Sequence, residues 1–204
     1  MKQAIAMVCA LAAAMTAQSA GSEPRMQAAI DSWLSVSQNA ATFAEFKMSL
    51  SSVDPNDVLD PTLLLRTASD WKRCKAVEFE VPPKASWSNL HQTLRLLKEL
   101  RFRSLLPAGE PVSVYRHRTL NKCAGGADNS AHLRASAIDF STSPQFTKEQ
   151  LEGLCRFWRS DGHKWNMGLS QYSSGRIHID TAGHRTWPGK SPVCAKHQQL
   201  RGAR

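Results

Sequence analysis

From Trp87 to Leu100 apolar residues recur at spacings of three and four, through Leu90, Leu94 and Leu97, and beyond Val112 that period gives way to short alternating segments. This change of period constrains the fold most. A 3.6-residue period buries one face of a helix, whereas a period of two alternates side chains across a strand. Ser86 stands where a helix N-cap is expected. Strands are expected at Val112 to Tyr115 and Ser136 to Ser141, with a hairpin joining Trp165–Tyr172 to Arg176–Asp180 across Ser173-Ser174-Gly175. Between them, Thr147 and Gln150 have the spacing of a capping box, ahead of a helix that buries Leu151, Leu154, Cys155 and Trp158. Upstream, residues 26–50 read as one amphipathic helix through Ala29, Ile30, Leu34, Phe43, Phe46 and Met48, ending at the turn-rich Ser51 to Asn56. Val77 to Val81 alternates like a strand before Pro82-Pro83, the stretch from Pro61 to Trp71 fits either element, and His117 to Ala131 reads as a long polar loop holding Gly125-Gly126. Helices first and strands later imply an α+β fold, a small antiparallel sheet flanked by helices.

The N-terminus reads as a secretion signal. Lys2 supplies the positive charge, Ala4 to Ala17 the apolar run, and Ala17-Gln18-Ser19 small residues for cleavage after Ser19. An uncleaved anchor is the alternative, but the run is shorter than the roughly 20 apolar residues of a span. The expected organisation is a signal over 1–19, a helical extension over 20–59, one domain over 60–195 and a basic tail over 196–204. No other segment reads as membrane-spanning, so the mature chain is expected in the periplasm or at the cell wall. Signal removal takes Cys9 and leaves Cys74, Cys123, Cys155 and Cys194, an even number that suits two disulfides in an oxidising compartment. The formal charge of +9 favours polyanionic partners such as a cell wall; secretion argues against nucleic acid, and basicity for solubility alone is the plain alternative.

Two segments carry the chemistry: Ser130 to Asp139, containing His132, and Arg176 to Asp180, containing His178. Two imidazoles and one carboxylate make a three-ligand set for zinc, which leaves a position for water or substrate. Spacing alone is weak evidence: with 17 acids in 204 positions, an acid seven residues after one of seven His arises about 0.6 times by chance. Context adds weight, because a loop end, a strand and a second strand are placed to converge. Asp180 shares the face of His178. The bland alternative for His178-Ile179-Asp180 is an ordinary strand with a polar face.

The order of motifs resembles the D-Ala-D-Ala carboxypeptidase-like zinc metallopeptidases, grouped with murein endopeptidases and vancomycin-resistance dipeptidases. The resemblance runs through Ser113-Val114-Tyr115-Arg116 with Asn121, Ser130-x-His132 to Ala137-x-Asp139, Gly168 to Tyr172, and His178-Ile179-Asp180-Thr181 followed by Arg185-Thr186-Trp187, over about residues 70–190. It implies a Hedgehog/DD-peptidase-like fold, one zinc ion on His132, Asp139 and His178, and peptidoglycan stem peptides as partners. Arg116 would bind substrate or the developing oxyanion, and Ser130 and Tyr115 would contact substrate or shape the loop. Two positions depart from the pattern. Ala135 replaces a glycine, which is tolerable if its φ is negative, and Gly175 and Arg176 stand where relatives carry an acid or a histidine. Asp180 is then the first candidate for the catalytic base, or else a partner of a ligand imidazole; His163, Asp161, His117 and Asp128 are alternatives. Cys74–Cys123 would tether the metal-proximal loop and Cys155–Cys194 the tail. A zinc-containing wall-peptide binding module of the same fold, without turnover, is the competing reading, and a purely structural zinc is a third. Which bond is cut and the oligomeric state are not encoded legibly.

Overall fold

The computed structural model describes residues 22–53, 58–187 and Cys194. The expected signal at 1–19 and tail at 196–204 lie outside the described residues. By its contacts the chain divides after Ala40, and the second unit holds the sheet and every candidate site residue. Among the described residues no helix is long and apolar enough to cross a membrane.

The stretch expected as one helix over 26–50 is two, α1 (Ser22–Leu34) and α2 (Ser37–Ser51). The break falls at Ser35-Val36, where the Ser35 hydroxyl donates to the Ser32 carbonyl and competes with the helical ladder. Helix α3 (Trp87–Phe102) buries Leu90, Leu94, Leu96, Leu97 and Leu100, as the period requires. Ser86 does not cap it with its side chain; it closes a short 3-10 turn, Lys84–Ser86, that leads directly into α3. The stretch Val77 to Val81 makes only a single bridge, Arg66 with Phe79, not a strand. The expected loop His117 to Ala131 contains a short helix α4 (Arg118–Cys123), with the His117 ring accepting from the Leu120 amide.

Five strands follow: β1 (Pro111–Ser113), β2 (Ala137–Phe140), β3 (Gly168–Gln171), β4 (Ile177–Asp180) and β5 (Arg185–Trp187). Their order is β1-β2-β4-β3-β5. The sheet is mixed rather than antiparallel, because β5 runs parallel to β3. The three-residue strand followed no alternating pattern long enough to give its direction. The hairpin of β3 and β4 forms as expected, but residues before Gly168 make a 3-10 turn, Gly162–Trp165, not strand. Helix α5 (Lys148–Ser160) begins with both hydrogen bonds of the Thr147–Gln150 capping box. Helix α3 is tied to the sheet by the Thr93 hydroxyl, 3.0 Å from both the Ser136 carbonyl and the Thr181 hydroxyl. Disulfides join Cys74 to Cys123 and Cys155 to Cys194.

Register decides what the sheet presents. Ser113, Asp139, His178, Ser170 and Trp187 lie in one row across all five strands. The neighbouring row, Ile138, Ile179 and Leu169, points to the opposite face and is fully buried.

Candidate metal centre

His132 comes from a 3-10 turn, Ala131–Arg134, that delivers its ring to the sheet row. Ser130 caps this turn, its hydroxyl accepting from the His132 amide at 3.3 Å. Ala135 ends the turn with φ +51°, so it takes the left-handed conformation that favours the glycine it replaces. The chain must reverse there to enter β2, and a left-handed residue does this in one step. Asp139 and His178 are directly opposed on β2 and β4. One ligand atom from each of His132, Asp139 and His178 lies within 4.8 Å of the others, and all three residues are buried.

Hydrogen bonds hold both rings, and for His132 the partner fixes the tautomer. His132 Nδ1–H donates to the Val114 carbonyl at 2.8 Å, leaving Nε2 with a lone pair. That Nε2 lies 3.2 Å from Asp139 Oδ2, yet it is out of line for a hydrogen bond and is a buried polar atom without a partner. His178 is hydrogen-bonded through both ring nitrogens, Nε2 to Asp180 Oδ2 at 2.9 Å and Nδ1 to Asp139 Oδ1 at 2.7 Å. One nitrogen of each ring thus converges on one carboxylate. His132 Nε2 is a buried acceptor without a partner, and two imidazoles with one carboxylate are a donor set that suits zinc.

The electrostatics agree. Burial alone would push the Asp139 carboxyl up, but His132 and His178 outweigh burial and hold it well below the usual carboxylate range. Burial pushes the His132 imidazole down, against the pull of Asp139. Burial also works against a charged His178, but its hydrogen bonds to the Asp139 and Asp180 carboxylates win and raise it. Arg116 Nη2 donates to Asp139 Oδ2 at 2.5 Å, and its Nε donates to the Ser113 hydroxyl at 2.8 Å. The Ser113 hydroxyl in turn donates to the Thr67 carbonyl.

The ligand imidazoles open onto a cleft of about 760 Å³, whose wall includes Arg116, Ser130, Arg134, Tyr172, His184, Arg185 and Trp187. Tyr115 is not among the lining residues, so the expected substrate contact is absent from this cleft. Asp180 is fully enclosed behind His178, its oxygens engaged by His178, the Ala182 amide and the Arg185 guanidinium. It does not line the cleft. The alternatives His163, Asp161, His117 and Asp128 do not line it either; Asp161 is engaged by Lys164 and Arg103. Gly175 has φ +85° at the hairpin tip, a conformation that an acidic side chain would strain.

Two cleft residues carried no role in the sequence reading. The Tyr172 hydroxyl lies 3.2 Å from His178 Nδ1. Burial, with Asp139 nearby, raises its pKa, so it is a neutral phenol donor. His184 stacks on Trp158 with centroids 4.5 Å apart, and its Nε2–H donates to the Trp158 carbonyl at 2.9 Å, which leaves Nδ1 as an acceptor. The signal for Tyr172 was its place in the hairpin motif; His184 had none.

Residues 92–180 match the model of the family described as Peptidase M15. This segment is similar to the M15 peptidases. The matched stretch contains His132, Asp139 and His178, and the M15 family is zinc-dependent, in accord with the convergence of these three side chains. It stops before Arg185 and Trp187. No curated protein and no solved structure matches this chain.

Proposed function

We propose that the protein is a secreted zinc peptidase that hydrolyses peptide bonds of peptidoglycan stem peptides or their cross-links. The observation that carries this reading is the convergence of two imidazoles that line an open cleft, His132 through Nε2 and His178 through Nδ1, on the buried Asp139 carboxylate. His132, Asp139 and His178 hold the ion. When bound, zinc supplies Lewis acidity, polarising a peptide carbonyl and acidifying water. Arg116 orients Asp139 and sets a fixed positive charge near the carbonyl oxygen as negative charge develops on it. The Tyr172 hydroxyl donates a hydrogen bond to the same region. His184 Nδ1 takes the proton from water and returns it to the leaving amine. This assignment replaces Asp180, whose enclosed carboxylate holds the His178 ring instead.

The lining has Arg116, Arg134 and Arg185 but no Asp or Glu among the described residues, which suits a peptide rich in carboxylates. The two disulfides accord with an oxidising compartment outside the cytoplasm. A binding module without turnover is the second reading, favoured by the same lack of a carboxylate base in the cleft. Digestion of purified peptidoglycan by the zinc-loaded mature protein, with His132→Ala as control and products read by mass spectrometry, separates the readings. Loss of a terminal Ala marks a carboxypeptidase, and conversion of cross-linked dimers to monomers an endopeptidase. Unchanged wall with zinc bound selects the binding module.

A further inference from the structure

The motif Arg185-Thr186-Trp187 lies beyond the matched family segment and forms β5, the edge strand parallel to β3. Its two outer residues face the candidate site, although a whole strand lies between. Arg185 pairs with Gly168 of β3, which pairs with Asp180 of β4; Trp187 pairs with Ser170, which pairs with His178. Adjacent strands are about 4.8 Å apart, so β5 and β4 are separated by roughly twice that distance. Long side chains on β5 reach β4 only if β3 presents small ones on this face, and it presents Gly168 and Ser170.

Both crossings occur. The Arg185 guanidinium meets Asp180 in a two-pronged contact, Nη2 to Oδ2 at 2.9 Å and Nη1 to Oδ1 at 3.1 Å. A Cβ on Gly168 would lie 2.1 Å from Asp180 Oδ2, in the space the carboxylate occupies. The Trp187 ring meets the His178 ring edge-on, with centroids 4.9 Å apart, and the Arg185 guanidinium lies 4.9 Å from the Trp187 centroid. The Ser170 hydroxyl donates to the Trp187 carbonyl at 2.7 Å. Asp180, so held, accepts from His178 Nε2.

We infer that β5 is a positioning strand for the metal centre: Arg185 clamps Asp180 across the opening left by Gly168, Asp180 orients His178, and Trp187 braces the same ring. The inference rests on the zinc reading above, because its effect is on the His178 nitrogen offered to the ion. Arg185 is a positioning residue, acting through Asp180. It also lines the cleft, so a direct substrate contact is the rival role that the test must separate.

The test measures zinc affinity by competition with a chromophoric chelator, on the mature chain with its disulfides intact. Arg185→Gln is expected to weaken zinc binding about 10-fold, within the range for partners of metal-bound histidines. Arg185→Lys is expected to recover part of this loss, since it keeps the charge without the fork. In an Asp180→Asn background, Arg185→Gln is expected to add nothing, a non-additivity that general loosening of an edge strand does not produce. Gly168→Ala should reproduce the loss with Arg185 and Asp180 both present; because it can also impair folding, the Arg185 variants decide. Arg185 is 43% exposed at its side chain, so its replacement leaves the core intact. If Arg185→Gln binds zinc like the parent and only KM rises, Arg185 is a substrate contact and the inference is overturned. If the parent itself takes up no zinc, the metal reading fails, and this inference fails with it.

Discussion

At the scale of single residues, the arrangement separates two histidine partners that sequence spacing cannot tell apart. Asp180 is enclosed against His178 Nε2, whereas His184 stands in the cleft with its Nδ1 uncommitted. Asp180→Asn is therefore expected to weaken zinc binding about 10–100-fold. His184→Ala should keep the ion and lower kcat by about 10²–10⁴. Zinc titration and steady-state kinetics on both variants check the split, and the reverse pattern would restore Asp180 as the base. Ala135 offers a second prediction. Its left-handed φ of +51° costs about 1–2 kcal/mol, which glycine would relieve. Glycine would also lose a buried methyl and gain unfolded-state entropy, together about 1–2 kcal/mol. Ala135→Gly is thus expected to be near neutral in urea denaturation; a loss above about 2 kcal/mol would show that the methyl's packing dominates. The three ligand positions were legible because each lies in a short motif whose order is informative. The ring orientations were not, because they depend on the Val114 carbonyl and the Asp180 carboxylate, which reach the rings only once the sheet forms.

At the scale of elements, what sequence made legible follows the strength of local signals. Helix α3 has five leucines at helical spacing and α5 has a complete capping box, so both were readable. The α1–α2 break and the short α4 depend on local serine and histidine hydrogen bonds that a pattern of apolar residues does not report. The direction of β5 depends on contacts with β3, which a three-residue strand cannot announce. The Cys74–Cys123 disulfide ties residues near Trp71 to the end of α4, immediately before the glycines that line the cleft. With the cysteines 49 positions apart, chain entropy assigns this link about 4 kcal/mol in the unfolded-state account, and measured links typically give about 2–4 kcal/mol. Cys74→Ser with Cys123→Ser is expected to lower stability by that amount and to raise KM more than it lowers kcat, because Gly125 and Gly126 then hold the cleft wall less firmly. Denaturation curves together with kinetics on the double variant test this; a fall in kcat at unchanged KM would place the link's effect on the metal centre instead.

At the scale of the whole molecule, the candidate centre couples proton binding, ion binding and folding. His178 titrates above the ordinary imidazole value of about 6.5 in the folded chain. Its contribution to metal-free stability is therefore fully present below about pH 6.5 and is lost as pH rises through the folded value. His132 is depressed, so its contribution is present above about pH 6.5 and is lost as pH falls below it. Asp139 is held low, so its contribution is present above about pH 3.9 and is constant across the neutral range. Between pH 6.5 and 8.5, then, the metal-free centre loses stabilisation through His178 alone. Zinc follows the opposite course. It must displace the His178 proton, so its affinity grows as pH rises, and stronger binding stabilises the folded state further by mass action. The gap in Tm between zinc-loaded and chelator-treated protein is expected to widen steadily from pH 6 to pH 8.5. Scanning calorimetry at fixed zinc and chelator concentrations measures that gap directly. A gap that stays level or narrows with rising pH would mean that the two ring nitrogens do not hold the ion, whatever the protein does to a cell wall.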